Sequence, residues 1–195
     1  MSILRVARMG HPVLRQPAQP VPPELIPSPG VQRLIDDMLE TVEEYDGAGL
    51  AAPQVHVSAR VVVLQLDRTE GMQVWINPVL TPLSDQELVT WEGCLSVPGL
   101  RGAVSRPSEL RVQALDRHGQ PIELHLRGFA AVVAQHECDH LDGVLFIDRA
   151  EPRSLAFLEE LRRHGAWPWR EEEQEGEEGE DDDLTDESGD EDGEA

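Results

Sequence analysis

The chain has 195 residues, with 16 basic residues that are all Arg, 38 Asp or Glu, and a formal net charge of -22. That length is enough for one domain with its own core, and no run of about 18 apolar residues is present to span a membrane as a helix. With two cysteines, Cys94 and Cys138, and no apolar leader near Met1, the composition excludes a disulfide-stapled secreted scaffold, and the expectation is a soluble protein of the reducing cytoplasm.

The charge is concentrated at one end. Sixteen of the 38 acids lie in residues 171–195 beside no basic residue, so residues 1–170 carry 22 acids against 16 bases and sit near -6. A segment of like charges with little apolar surface cannot offset its ordering entropy. The expected organisation is therefore a catalytic domain over 1–170 and a disordered acidic tail over 171–195, with solubilisation or contact with a basic protein as the tail's roles.

After a proline-rich opening, Val31, Leu34, Ile35, Met38, Leu39 and Val42 follow helical offsets on one stripe, with Asp36, Asp37, Glu40, Glu43 and Glu44 away from it. This predicts an amphipathic helix. Gly47-Ala48-Gly49-Leu50-Ala51-Ala52-Pro53-Gln54 follows, a pattern that suits a helix end and a tight turn, and also a backbone that a substrate can approach. Arg60 to Asp67 and Gln73 to Leu80 read as strands, with Pro82 interrupting the second. Trp91 to Pro98 reads as a loop containing Cys94. Leu110 to Leu115 and Ile122 to Arg127 flank Asp116-Arg117-His118-Gly119 and predict a hairpin.

Gly128 precedes a second helix, Phe129 to Leu141, apolar nearly all round in its first half and therefore interior. Phe129, Val132 and Val133 share a face with His136, Glu137 and His140. Gly143 ends it, Val144 to Ile147 is expected to form a short strand, and Ser154 to Arg163 a last amphipathic helix before Trp167-Pro168-Trp169. The order lacks regular strand-helix alternation, so the expected class is α+β: mixed or antiparallel sheets around a central buried helix, with an N-terminal amphipathic and a C-terminal helix.

His136-Glu137-Cys138-Asp139-His140 is an HExxH motif. Residues four apart on a helix lie about one turn, ~5.4 Å, from each other, so two imidazoles grip one ion while Glu137 reaches an ion-bound water. The bland alternative, a decorated helix surface, would put these groups on a buried stripe without compensation. HExxH leaves the third ligand open. Glu159 and Glu160 stand where a zinc endopeptidase would carry it. Cys94 offers a thiolate instead; on its own, a lone cysteine is usually a small buried hydrophobe. Cys138 is turned about 200° from His136 round the helix and reads as core packing. Gln54 offers an amide for an oxyanion. A third reading is a non-enzymatic metal-holding module whose tail recruits a partner.

GAGLAAPQ, WEGCLS and QHECDHLDG, in that order, resemble the peptide deformylases, and Gly10-His11-Pro12-Val13-Leu14-Arg15 resembles that family's opening, so the likeness covers about residues 3–155. Gln135 to Gly143 with Asp148 to Arg153 looks nearest to the organellar and plant-type branch. The resemblance implies Cys94, His136 and His140 as metal ligands, ferrous iron as the ion with zinc, nickel or cobalt as substitutes, and Glu137 as acid and base. It also implies Gln54 and the Leu95 N–H as oxyanion donors and Gly49 as the partner of the substrate backbone. The methionine pocket is expected from Ala48, Val132, Val133 and Leu100. Ion-bound water would attack the formyl carbon of N-formylmethionyl nascent peptides, releasing formate. Partners are then those peptides and, transiently, the ribosome, with neither DNA nor membrane; the acidic tail departs from the family pattern and would be repelled by RNA phosphates.

Overall fold

The computed structural model describes residues 2–165, apart from 68 and 70. The proposed tail, the boundary at 170 and Trp167-Pro168-Trp169 lie outside the described residues. The elements are α1 (Pro29–Glu44), β1 (Gly49–Ala51), β2 (Val61–Leu64), β3 (Gln73–Pro82), β4 (Glu87–Cys94), β5 (Val97–Pro107), β6 (Glu109–Leu115), β7 (Pro121–Arg127), α2 (Phe129–Leu141), β8 (Ala156–Phe157) and α3 (Leu158–His164). The class is α+β, with antiparallel sheets and three helices. One sheet has the order β1-β2-β3-β6-β7, the other β4-β5-β8. Every strand pair is antiparallel. No helix among the described residues is long and apolar enough to cross a membrane.

β2 explains how the larger sheet holds both long helices. All four of its residues are buried, and because successive side chains alternate faces, Val61 and Val63 join Ile35, Met38 and Val42 of α1, while Val62 and Leu64 join Ala131, Ala134 and Leu141 of α2. Full burial of each Val, Leu, Ile or Met among these stabilises by about 1.5–3 kcal/mol. Ser28 caps α1 by accepting from the Val31 N–H, and Pro29 occupies the first turn, where its missing N–H costs nothing. Phe129–Leu141 forms the helix its periodicity predicts, with nine buried residues, and packs on β1, β2, β5 and β7.

Three expectations need correction. The Cys94 stretch is not a loop: β4 and β5 form a long hairpin, and Cys94 is the last residue of β4. Glycine and proline at 98, 99 and 102 weaken the strand signal, yet cross-strand pairing overrides it. Val144 to Ile147 forms no strand; Phe146–Asp148 is a 3-10 turn, with the Leu145 N–H donating to Asp148 Oδ2 at 2.8 Å. Leu145 and Phe146 bury themselves around Cys94 instead. The last helix begins at Leu158, not Ser154, because Ser154 Oγ accepts from the Ala103 N–H at 2.8 Å and Ala156–Phe157 pairs with β5. It buries no residue fully; Leu158 and Leu161 are half-buried on the side that meets β5 and β8.

Candidate metal centre

Two elements meet here. The hairpin supplies Cys94, at a point where the β4–β5 register shifts between Glu92 and Cys94. α2 supplies His136 and His140, whose ring centroids are 5.1 Å apart with planes at 84°. Cys94 Sγ lies 3.3 Å from His140 Nε2, and one ligand atom from each of the three residues lies within 4.8 Å of the others. Tetrahedral bonds of about 2.0–2.3 Å place such donors about 3.5 Å apart. Both cysteines are free thiols. A sulfur and two imidazoles, buried and convergent, suit a borderline divalent ion, and the donor set fits one.

The environment tunes each group differently. Burial disfavours a charged His136, but hydrogen bonds to Cys94 and Glu92, with the Glu137 charge, outweigh it and raise the imidazole to about 10 in the metal-free protein. His140 is pushed well below the usual range by burial, then by the charge of His136. Burial raises Glu137 to about 7, with the His136 charge opposing. Among the described residues, Glu137 Oε2 and His140 Nδ1 are buried without a hydrogen-bond partner, so the carboxylate faces the site with one oxygen uncommitted.

Behind the three candidate donors runs a buried ionic chain that the sequence reading missed. Glu92 Oε2 meets His136 Nδ1 at 2.8 Å, and Arg106 donates to Glu92 Oε1 from Nε at 2.6 Å and to Oε2 from Nη2 at 3.0 Å. Arg106 Nη1 donates to Asp139 Oδ2 at 2.8 Å, and Arg149 grips both Asp139 oxygens at 2.7 Å. Burial alone would raise Glu92, but the bonds from His136 and Arg106 lower it to about 2. No periodic signal pointed to Glu92: the stretch reads as a loop, and the strand's register shifts between Glu92 and Cys94.

The remaining predicted residues converge too. Gln54 is buried, with Oε1 accepting from the Ala51 N–H at 2.8 Å and Nε2 directed at Cys94 Sγ, 3.4 Å away, and Ser96 Oγ, 3.2 Å away. Gly47 closes the end of α1, its N–H donating to Val42 O at 2.9 Å, and the residues that follow form β1 and a 3-10 turn. Gly49, Ala48, Gln54, Cys94, Leu95, Val132, Val133, His136 and Glu137 all line one cleft of about 1180 Å³. Leu100 does not: it packs against the cluster around Cys94 and Phe146 and pairs with Phe157. Glu159 and Glu160 are exposed on α3, where Glu160 engages Arg163 and His164 of its own helix; neither belongs to the donor group. Cys138 is buried on the opposite side and lines a smaller cavity of about 460 Å³, where burial pushes its thiol up.

The chain matches the family model described as polypeptide deformylase over residues 3–155. It is 50% identical to a peptide deformylase of Stutzerimonas stutzeri over 150 residues, 76% of this chain and 87% of that one. Among solved structures, a peptide deformylase of Thermotoga maritima aligns with a TM-score of 0.72 at 39% identity, covering 77% of this chain and 99% of that one. A Met-Ala-Ser-bound class I type b peptide deformylase of Acinetobacter baumannii aligns with a TM-score of 0.71 at 36% identity, covering 75% and 98%. The match runs through both elements that build the centre, and the chain belongs to the polypeptide deformylase family.

Proposed function

We infer that the chain hydrolyses the N-formyl group of formylmethionyl peptides, with Cys94, His136 and His140 holding a divalent ion and Glu137 moving the proton. The convergence of those three donors beside a carboxylate with a free, buried oxygen carries the reading. When bound, the ion supplies Lewis acidity, lowering the pKa of water and polarising the formyl carbonyl.

The protein's own groups do the rest. Glu137 Oε2 accepts a proton from water as the C–O bond forms at the formyl carbon, and returns it to the methionine nitrogen as the C–N bond breaks, giving formate and a free amine. A carboxylate raised toward neutrality by burial is matched to both halves of that transfer. The Gln54 amide and the Leu95 N–H stabilise the oxyanion, a role worth about 10²–10³ in rate per donor. β1 is an edge strand, so Gly49 offers backbone groups for an extended peptide to pair with. Val132, Val133 and Ala48 form the methionine pocket.

Ferrous iron is the ion carried over from the family resemblance, with zinc, nickel or cobalt as substitutes for the same donors. α2 is read as the helix on which the domain is centred, supported by its contacts with β1, β2, β5 and β7. The remaining proposals are action on nascent chains in the cytoplasm, transient ribosome association, a tail free to contact a basic protein, and membership of the organellar and plant-type branch. Formate release from formyl-Met-Ala-Ser by anaerobically prepared enzyme tests the activity; retention of the wild-type rate in Glu137→Ala would refute the assigned chemistry.

A further inference from the structure

The cleft leading to Cys94 and Glu137 is positive at its walls, in a chain whose net charge is -22. Arg5, Arg8 and Arg101 line it. Several arginines elsewhere are matched, Arg15 with Asp148, Arg60 with Asp142, Arg117 with Asp36 and Arg127 with Glu109, whereas Arg33, Arg111, Arg153 and Arg162 are not matched among the described residues, so it is their place in the cleft that sets Arg5, Arg8 and Arg101 apart. Among the described residues, the three cleft arginines have no carboxylate at ion-pair distance. The cleft's acids do not offset them. Glu92 is engaged by Arg106 and His136, and Glu137 is buried beside the ligands, which leaves Asp46.

These guanidiniums are placed by the fold. The Ala7 N–H donates to Gln54 O at 2.7 Å and the Met9 N–H to Ser96 O at 2.8 Å, so residues 5–9 are anchored on the two residues that flank the Cys94 sulfur. Ala7 is buried, while Arg5 and Arg8 are exposed. Arg101 lies across Gly93, where any Cβ would overlap its guanidinium, and its Nη1 donates to Leu100 O at 2.9 Å. Gly93 precedes Cys94, so that charge rests on the wall beside the ligand. At about 1180 Å³, the cleft exceeds the ~300–1,000 Å³ that encloses a drug-sized ligand. An extended chain adds about 3.3 Å per residue, so the cleft has room for residues after the methionine along these walls.

Building on the deformylase reading, we propose that this enzyme selects among formylated N-termini, with Arg5, Arg8 and Arg101 binding carboxylates of the residues that follow the methionine. Guanidinium matches carboxylate geometry, and a peptide in this cleft supplies that group as Asp and Glu side chains. Each exposed contact is expected to contribute roughly two- to fivefold, screened by salt.

The test is steady-state kcat/KM of the full chain on formyl-Met-Ala-Ser-Ala, formyl-Met-Ala-Asp-Glu and formyl-Met-Ala-Arg-Arg at low and high salt. The expected order is acidic, neutral, basic, with roughly tenfold between the extremes, carried by KM and reduced at high salt. Arg5→Gln/Arg8→Gln and Arg101→Gln should each narrow the ratio; Arg162→Gln, exposed on α3 and outside the cleft, should leave it. Equal kcat/KM for the three peptides, or an unchanged ratio in the cleft variants, overturns the proposal. No turnover even of the neutral peptide overturns the deformylase reading beneath it.

Discussion

Gly49 and Glu137 compete for one volume: a Cβ at position 49 would stand 2.6 Å from Glu137 Oε1 and 2.7 Å from its Cγ. Glycine is required there by the carboxylate rather than by backbone conformation. Gly49→Ala should therefore push Glu137 aside without touching the ligands, lowering kcat by about 10² while metal content stays at the wild-type level. Steady-state kinetics and metal analysis on one preparation check this; unchanged kcat would show that the carboxylate relaxes freely.

Glu92 fixes the orientation of His136 through Nδ1. Partners of this kind typically contribute 10–100-fold in metal affinity, so Glu92→Gln should lower affinity by about that factor, measured by competition with a chelator. Gln keeps one acceptor oxygen, so the fold should survive and the loss should fall on the ion.

The same carboxylate sets an acid limit in the metal-stripped protein. Its folded value, about 2, lies below the ordinary 4.5, so its contribution to stability is complete above about 4.5 and is lost as pH falls from there toward 2. The urea midpoint should fall as pH drops through that window. Arg106→Met removes a cause of the shift and leaves Glu92 with His136 alone and Asp139 with Arg149 alone, so it should cost less than the roughly 3–5 kcal/mol of a fully broken buried pair at neutral pH and flatten the acid slope.

The identity of the third ligand is checked by metal content. Cys94→Ala should lose the ion, whereas Glu160→Ala, which breaks contacts within α3, should retain it and its activity. The reverse pattern would restore the endopeptidase alternative.

Much of this centre is local and was therefore readable. The four-residue spacing of His136 and His140 fixes two donors on one helical face whatever surrounds them, and the alternation and apolar runs of β2, β3, β6 and β7 reflect faces that each strand must bury. The hairpin of β4 and β5 was not legible, because its glycines and prolines satisfy local preferences for a loop while the pairing that overrides them is made across the turn between the two strands, and to β8.

By itself, the sequence determined the chemistry of the donors, the helix that carries two of them, and the stripe on which Glu137 accompanies them. Tertiary structure decided that Cys94 rather than Glu159 or Glu160 lies beside the two imidazoles, that Glu92 and Arg106 stand behind His136, and that Gly49 makes room for Glu137. Those contacts join residues 44 and 46 positions apart for Glu92–His136 and Cys94–His140. Periodicity along one element carries no information about such distances; they follow from how the buried faces of a hairpin and a helix pack.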